Sequence, residues 1–552
     1  MQRSKPDGHA WLLLLLAATL FYFYGLGRLP LVGPDEPRYA QVAREMFLRR
    51  DLLTPTLGGH PWFEKPALLY WMIEAAYAAF GVSEWAARCG AACSGLLTLL
   101  LVYWAGKRVE EVGEAEPSGA SARRLGLLSM LALATSGGMI VFSRGVSFDI
   151  VLTAALTASL SCFFLSEVEE NDGRRGWLLA GFYASVGVAL LAKGLAGAVL
   201  PFGIVAAYML FGRRRPSRAF LLSLLWGGAL ALGVAALWYA PVIRLHGWKF
   251  IREFFIEHHF ARYLSTKYHH PQPFYFYLPI TLMLLLPWSA ILLAALWRAK
   301  SWRWRGPTAL DRLRVFALMW LVVPVAFFSL SGSKLPGYVL PAVPGAALLV
   351  GDWLAHYLRG EGRARAMRAT GALLILCAAG LLVYAVWTKD IPMGCALASG
   401  SLVALAGACV TAWANKRRGA CVWLIACAVC AVTLLGLSCG ADRLARRESM
   451  RDLLRASDER GLASAPVYQL HTMERTSEFY AADRVVRDER GEILWLEDVP
   501  QVEEAARRHE GATILVIVSL RRLPTLLSDA ALQTEVIGDN GHMALTAVRL
   551  RR

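Results

Sequence analysis

Apolar residues dominate this chain in long runs, and the polar residues between them gather in short clusters. The first run, WLLLLLAATLFYFYGL (11–26), sets the pattern, and runs of similar length recur to about residue 440. About 20 residues cross a hydrocarbon core roughly 30 Å thick, so the pattern predicts a polytopic α-helical membrane protein. Thirteen spans are expected, near 11–30, 84–106, 125–142, 148–166, 177–192, 195–211, 219–241, 275–297, 313–330, 338–357, 369–386, 392–412 and 420–440. A β-barrel would instead alternate in segments of about ten residues. The run from Ala180 to Phe211 contains 32 residues and one charge, Lys193. At about 1.5 Å per residue it is too long for one crossing, so a corner is expected at Lys193–Gly194.

The polar clusters then give an orientation. GKRVEE, NDGRRG, GRRRPSR, WRAKSWRWRG, RGEGRARAMR and ANKRRG all fall on one side with the N-terminus, which the positive-inside rule makes cytoplasmic. The other side carries two long loops, 31–83 and 242–274, and the tail after 440. The first run follows Arg3 and Lys5 without an A-x-A-like cleavage site, so it is read as a retained helix and not a signal peptide. Residues 1–440 thus form a transmembrane domain and 441–552 a second domain. In the tail, DRLARRESMRDLLRAS reads as a helix, APVYQL, ATILVIVS and HMALTAVRL read as strands, and Asp539-Asn540-Gly541 reads as a hairpin turn. This is a small α/β domain with no active-site signature.

Composition sharpens the class. A mean hydropathy of +0.43 with 18% charged residues excludes a soluble protein of this length. The net charge of +16 could suggest nucleic acid, but most basic residues sit in short loops between spans, which fits membrane orientation instead. No cysteine lies after Cys439, so the tail has no disulfide framework. Cys427 and Cys430 read as small buried residues in a span. There is no Gly-rich phosphate loop and no zincin motif.

The unusual polar residues collect on the outer face: Asp35, Glu36, Arg38 and Tyr39, then Glu64 and Lys65, Arg144 and Asp149, Lys193, the stretch EFFIEHHFARYLSTKYHHP (253–271), and Lys334 in SGSKLPGYVLP. Ionisable groups near a membrane are costly and suggest function. Each also has a plain explanation. Asp35 before Glu36-Pro37 could be an N-cap, and Asp149 could complement a helix dipole. Lys193 could snorkel, although its isolation at an apolar corner favours an anion contact. Two prolines around Tyr338 argue that it is held in place. His258 and His259 fall on what should be an interfacial amphipathic helix. With Glu64 they leave room for a divalent metal such as zinc, though no HxxxH spacing enforces it. Five separated cations, Arg38, Lys65, Lys193, Arg262 and Lys334, suit a phosphate or diphosphate and can neutralise charge on a leaving phosphate. Neighbouring carboxylates can orient a sugar, bind an amine or accept a proton.

PDEPRYA, FEKPALLYW, SRGVSFDI, LLAKG and SGSKLPGYVLP, in this order, resemble the ArnT-type aminoarabinose transferases among the protein O-mannosyltransferase-like glycosyltransferases. The FEKP and SKLPxYxLP motifs are the more telling. The resemblance covers most of the membrane region and implies the GT-C fold, with a small outer C-terminal domain. It implies transfer of 4-amino-4-deoxy-L-arabinose from undecaprenyl phosphate to a lipid A phosphate. The reaction would occur on the periplasmic face of the bacterial inner membrane, by inversion, and would give resistance to polymyxin. By the same resemblance the acidic motif falls on Asp35 with Glu36, and Asp149 joins them as a catalytic candidate. Phosphate contacts fall on Arg38, Lys65, Lys193 and Arg262, and Tyr338 takes the place of the tyrosine in the proline-bounded motif. Partners are then the lipid-linked donor, lipid A and membrane lipids, with no nucleic acid, and the chain is expected to be a monomer. An anionic acceptor phosphate needs no strong base, so Asp35 is expected to orient the substrate or stabilise oxocarbenium character. Two rivals are a protein O-glycosyltransferase using the same donor class, in which Asp35 would act as base, and a lipid-linked sugar flippase.

Overall fold

The structure is a computed structural model, and the residues described are 9–115, 124–261, 272–361, 364–489 and 491–551. Among them nine helices are long and apolar enough to cross a membrane, or eleven if each of two bent pairs counts as one span. The pairs are Leu125–Ala134 with Gly137–Ser143, bent by 62°, and Tyr277–Leu284 with Ser289–Ser301, bent by 114°. The two other expected spans fall on shorter apolar helices, Ala10–Phe23 and Ala196–Phe211. These have 14 and 16 residues, or about 21 and 24 Å of helix, short of a full hydrocarbon core.

In chain order the first ten helices are α1 (Ala10–Phe23), α2 (Asp35–Arg49), α3 (Leu68–Phe80), α4 (Glu84–Ala115), α5 (Leu125–Ala134), α6 (Gly137–Ser143), α7 (Phe148–Val168), α8 (Asp172–Lys193), α9 (Ala196–Phe211) and α10 (Arg218–Phe250). Ser147 opens α7, its hydroxyl accepting from the Asp149 amide at 3.1 Å. Asn171 caps α8 in the same way through Arg174 N. The expected corner is present: α8 ends at Lys193, and Gly194 takes φ +65°, a left-handed value that glycine adopts without a Cβ penalty. Helix α7 and the segment Pro336–Leu358 are the innermost, with 83% and 94% of their apolar windows buried. The site therefore sits at the ends of the most enclosed helices. The loop expected from 242 begins later, because α10 runs to Phe250 and continues as a wider-wound helical stretch, Ile251–Ala261, with a break at Gly247.

The first long loop, 31–83, holds α2, a hairpin of the two-residue strands β1 (Thr56–Leu57) and β2 (His60–Pro61), and α3. The C-terminal region forms a five-stranded sheet of β3 (Val467–Leu470), β4 (Trp495–Leu496), β5 (Ile514–Ser519), β6 (Leu532–Asp539) and β7 (Met543–Leu550), in the order β4-β3-β5-β7-β6. Strands β4, β3 and β5 are parallel, and β7 pairs antiparallel with both β5 and β6, placing Ile517 opposite Leu545. The continuous apolar run of β5 is buried on both faces, as a central strand requires. The expected tail helix is broken in two, Ala441–Arg447 and Arg451–Glu459. This unit rests on the first long loop. Tyr480 Oη accepts from Leu31 N at 2.7 Å and donates to Glu84 at 3.1 Å, and Arg44 donates to the Phe479 carbonyl at 3.3 Å.

Candidate functional site

Pro34 stands before α2, and no side chain caps that helix. Asp35 is therefore not an N-cap; it lies in the first turn, where an acid complements the helix dipole. One turn on, Arg38 Nη2 donates to Asp35 Oδ1 at 2.6 Å, while its Nε donates to the Pro34 carbonyl at 2.8 Å. The guanidinium also lies 3.8 Å from Glu64 and 5.7 Å from the centre of the Trp62 ring. Burial would lower its pKa, but Glu64, Tyr39 and Asp35 outweigh that and hold it above the usual value. Burial likewise pushes the Tyr39 phenol up.

Glu36 is committed elsewhere. Its Oε1 accepts from Val146 N at 2.7 Å and its Oε2 from Val32 N at 3.0 Å, while Arg88 donates to both oxygens at 3.2 and 2.8 Å. Arg88 also donates to the carbonyls of Leu26, Leu29 and Pro30. Buried in α4, it is 4% exposed. Its carboxylate ties the loop before α2 to the loop before α7. Arg88 was missed in the sequence, although a lone arginine within an apolar run carries that signal.

Across from α2, Asp149 in the first turn of α7 forms an ion pair with Lys193 at the end of α8. The Lys193 ammonium also stands 4.2 Å from the centre of the Tyr338 ring. Tyr338 lies in the tight helical stretch Pro336–Ala342, packed on Phe328 with ring centres 5.5 Å apart. Gly337 beside it lies so close to Asp149 and Phe142 that a Cβ there would overlap both. Arg144 donates to the carbonyls of Phe21, Tyr22 and Tyr24, closing the end of α1.

These groups surround a cavity of about 520 Å³. Asp35, Glu36, Tyr39, Lys65, Asp149, Lys193 and Tyr338 all line it, with Arg88 and Arg144. Leu26, Leu29, Ile140, Phe142 and Leu437 supply an apolar wall. The structure thus brings together most of the candidates from distant segments. Arg38 does not line the cavity; it stands behind Asp35. Lys334 does not line it either, because its ammonium donates to the carbonyls of Ser331 at 2.6 Å and Gln272 at 3.2 Å. In this structure both cations are thus held by other groups of the chain. Arg262 and the His259 side chain lie outside the described residues.

Two cations already stand close to Glu64, the carboxylate of the expected metal set. Lys65 Nζ is 2.9 Å from that carboxylate and Arg38 3.8 Å, so a divalent ion would face two fixed positive charges. Among the described residues, His258 included, no three His, Cys, Asp or Glu side chains are grouped to hold a metal. The cavity sets the carboxylates Asp35, Glu36 and Asp149 and the cations Lys65, Arg88, Arg144 and Lys193 against an apolar wall. Fixed cations of this kind stabilise negative charge developing on a leaving group.

A family profile described as dolichyl-phosphate-mannose-protein mannosyltransferase matches residues 10–251. The chain is 34% identical over 385 residues to the undecaprenyl phosphate-alpha-4-amino-4-deoxy-L-arabinose arabinosyl transferase of Pseudomonas aeruginosa (strain UCBPP-PA14), covering 68% of this chain and 65% of that one. It is 32% identical over 390 residues to the protein of the same name from Edwardsiella ictaluri, covering 68% and 66%. The chain thus spans just under two thirds of the length of these curated relatives. Its fold matches the crystal structure of ArnT from Cupriavidus metallidurans bound to undecaprenyl phosphate, with a TM-score of 0.74, 23% identity and 98% of each chain covered. The chain thus has the GT-C fold and is similar over about two thirds of its length to the ArnT-type transferases.

Proposed function

We propose that this chain transfers 4-amino-4-deoxy-L-arabinose from undecaprenyl phosphate to a phosphate of lipid A. The reaction runs on the periplasmic face of a bacterial inner membrane, by a monomer, and protects the cell against polymyxin and cationic peptides. The observation that carries this reading is the cavity in which Asp35, Lys65, Asp149, Lys193 and Tyr338 meet beside an apolar wall. Such a site suits a charged sugar phosphate on a lipid chain. The names of the relatives support the sugar and the carrier. The Cys395–Cys439 disulfide supports the sidedness. It joins the start of Met393–Trp413 to the turn entering the C-terminal region, and disulfides persist in oxidising compartments.

An oxygen of the acceptor phosphate attacks the anomeric carbon, the bond from that carbon to the donor phosphate breaks, and undecaprenyl phosphate leaves as the anion. The attacking group is already anionic, so no strong base is required. Lys65 and Lys193 neutralise the departing phosphate. Asp35, fixed by Arg38, orients the sugar and faces the positive charge that develops on it. One displacement gives inversion.

Mass spectrometry of lipid A from cells with and without the protein tests this reading. Lipid A is expected to gain the mass of one aminopentose only when the protein is present, and unchanged lipid A would overturn it. The matching mannosyltransferase profile over 10–251 favours a second reading, transfer to a protein hydroxyl. In that case Asp35 must take the hydroxyl proton, and the sugar would appear on a protein.

A further inference from the structure

We infer that the Asp149–Lys193 ion pair selects a zwitterionic donor, one whose sugar carries a cationic amine close to its phosphate, and that Asp149 receives the amine. The inference rests on the transfer reaction proposed above and assigns the part of its site that distinguishes an amino sugar from a neutral one.

Substrate binding here acts on charges that are already paired. Both members of the pair line the cavity and both are largely buried, with 14% of the Lys193 side chain and 18% of the Asp149 side chain exposed. A donor phosphate that reaches Lys193 competes with Asp149 for the ammonium. If the sugar is neutral, the phosphate gains a cation and leaves behind a carboxylate that has lost its own. A buried charge deprived of its partner is strongly unfavourable. If the sugar carries an ammonium group, the exchange balances: phosphate takes Lys193, the amine takes Asp149, and no buried charge is left alone. Two charges of the substrate replace two charges of the protein.

The other two cavity acids do not offer this exchange. Asp35 is 47% exposed, so water can solvate it when its partner moves. Its partner Arg38 does not line the cavity and is held by the Pro34 carbonyl, by Glu64 and by the Trp62 ring, so substrate does not draw it away. Glu36 is bound by Arg88 and two backbone amides. Asp149 is the cavity carboxylate that is at once enclosed and paired with a displaceable cation. The bare backbone of Gly337 lets its Oδ2 sit deep against the Tyr338 segment. The aromatic face of Tyr338 already lies under the Lys193 ammonium and can accept a substrate ammonium in the same way.

The test compares two donors on the full-length protein in membranes or detergent: undecaprenyl phosphate carrying the 4-amino-4-deoxy pentose, and the same lipid carrying the 4-hydroxy pentose. The unaltered protein is expected to favour the amino donor by about 100-fold or more in kcat/KM, since a site left with an unpaired buried polar group rejects the analogue steeply. In Asp149→Asn the preference should collapse to within about tenfold, chiefly through loss on the amino donor, and Asp149→Glu should restore part of it. Equal use of both donors by the unaltered protein, an arm that needs no variant, would overturn the inference while leaving the transfer reading intact. So would an Asp149→Asn protein that keeps the full preference. Failure of the unaltered protein to transfer either sugar to lipid A would overturn the parent reading and this inference with it.

Discussion

Lys193 ends one helix and Asp149 begins another, yet they form an ion pair on the cavity wall, with the lysine ammonium 4.2 Å from the Tyr338 ring centre. The pair places charge where a phosphate must leave and also holds α7 against the corner after α8. Lys193→Met should therefore lower transfer by about 10²–10³-fold, the usual loss when a fixed electrostatic contact to the transition state is removed. It should also destabilise the protein by roughly 3 kcal/mol, the low end for breaking a buried pair. Adding Asp149→Asn should recover most of the stability and none of the activity. Thermal unfolding in detergent, read beside donor turnover, checks both parts.

Gly337 gives a more selective probe. A methyl group there would overlap Asp149 and Phe142, so Gly337→Ala must push the carboxylate or shift the Tyr338 segment. A displacement of about 1 Å in a positioned group can cost roughly 10²-fold in rate. Turnover should fall by at least about tenfold with KM for the donor altered less. Equal turnover in Gly337→Ala would mean that the close approach carries no catalytic weight.

How far the sequence reached can be judged from these residues. Lys193 declared itself because a lone cation in 32 apolar residues has no bland explanation as good as a corner, and the helix does break at Gly194. Periodicity placed the apolar segments and three of the tail strands, β3, β5 and β7, because burial on a fixed face leaves a repeating mark. It missed β6, an edge strand of mixed burial, and also β4 and the hairpin of β1 with β2, whose strands are two residues long and carry no period. Among the cations, sequence showed charge but not direction. Arg38 turns to Asp35 and the Pro34 carbonyl, and Lys334 to the Ser331 carbonyl, while Arg88, four residues into an apolar helix, organises the loops around it. Which way a long side chain turns depends on acceptors brought in from distant segments, and no local pattern records that.

Glu74, on α3 of the first long loop, is a second kind of acid. Burial first, then the charge of Asp51, raises its pKa from 4.5 to about 7 against the opposing pull of Arg49. The folded state therefore holds this proton more tightly than the unfolded chain does. Below pH 4.5 both states are protonated. As pH rises toward 7 the unfolded chain releases its proton first, so stability from this group falls across that window. Glu74→Gln removes the penalty and should flatten the decline. Unfolding temperatures of both proteins at about pH 4 and about pH 7.5 should agree at the first and favour the variant at the second.

One hydroxyl, together with Arg44 donating to the Phe479 carbonyl and Arg451 paired with Glu84, holds the C-terminal region beside the site. Tyr480 Oη accepts the Leu31 amide and donates to Glu84, joining the tail to the loop before α2 and to the start of α4. The same loop carries the Leu29 and Pro30 carbonyls that hold Arg88, and Leu29, Pro30 and Arg88 line the cavity. Tyr480→Phe keeps the ring and its packing but leaves the Leu31 amide and the Glu84 carboxylate without that hydroxyl. A lost partner of this sort costs about 1–3 kcal/mol. Because the loss falls on the contact between tail and loop, it should appear locally first. Amide exchange at Leu31 and Val32 is expected to quicken by about tenfold or more, while exchange in the buried strand β5 stays as it was. If the tail serves as a fixed cover for the cavity, turnover should drop in step with that opening. If exchange quickens and turnover does not change, the contact holds the tail in place without serving the reaction.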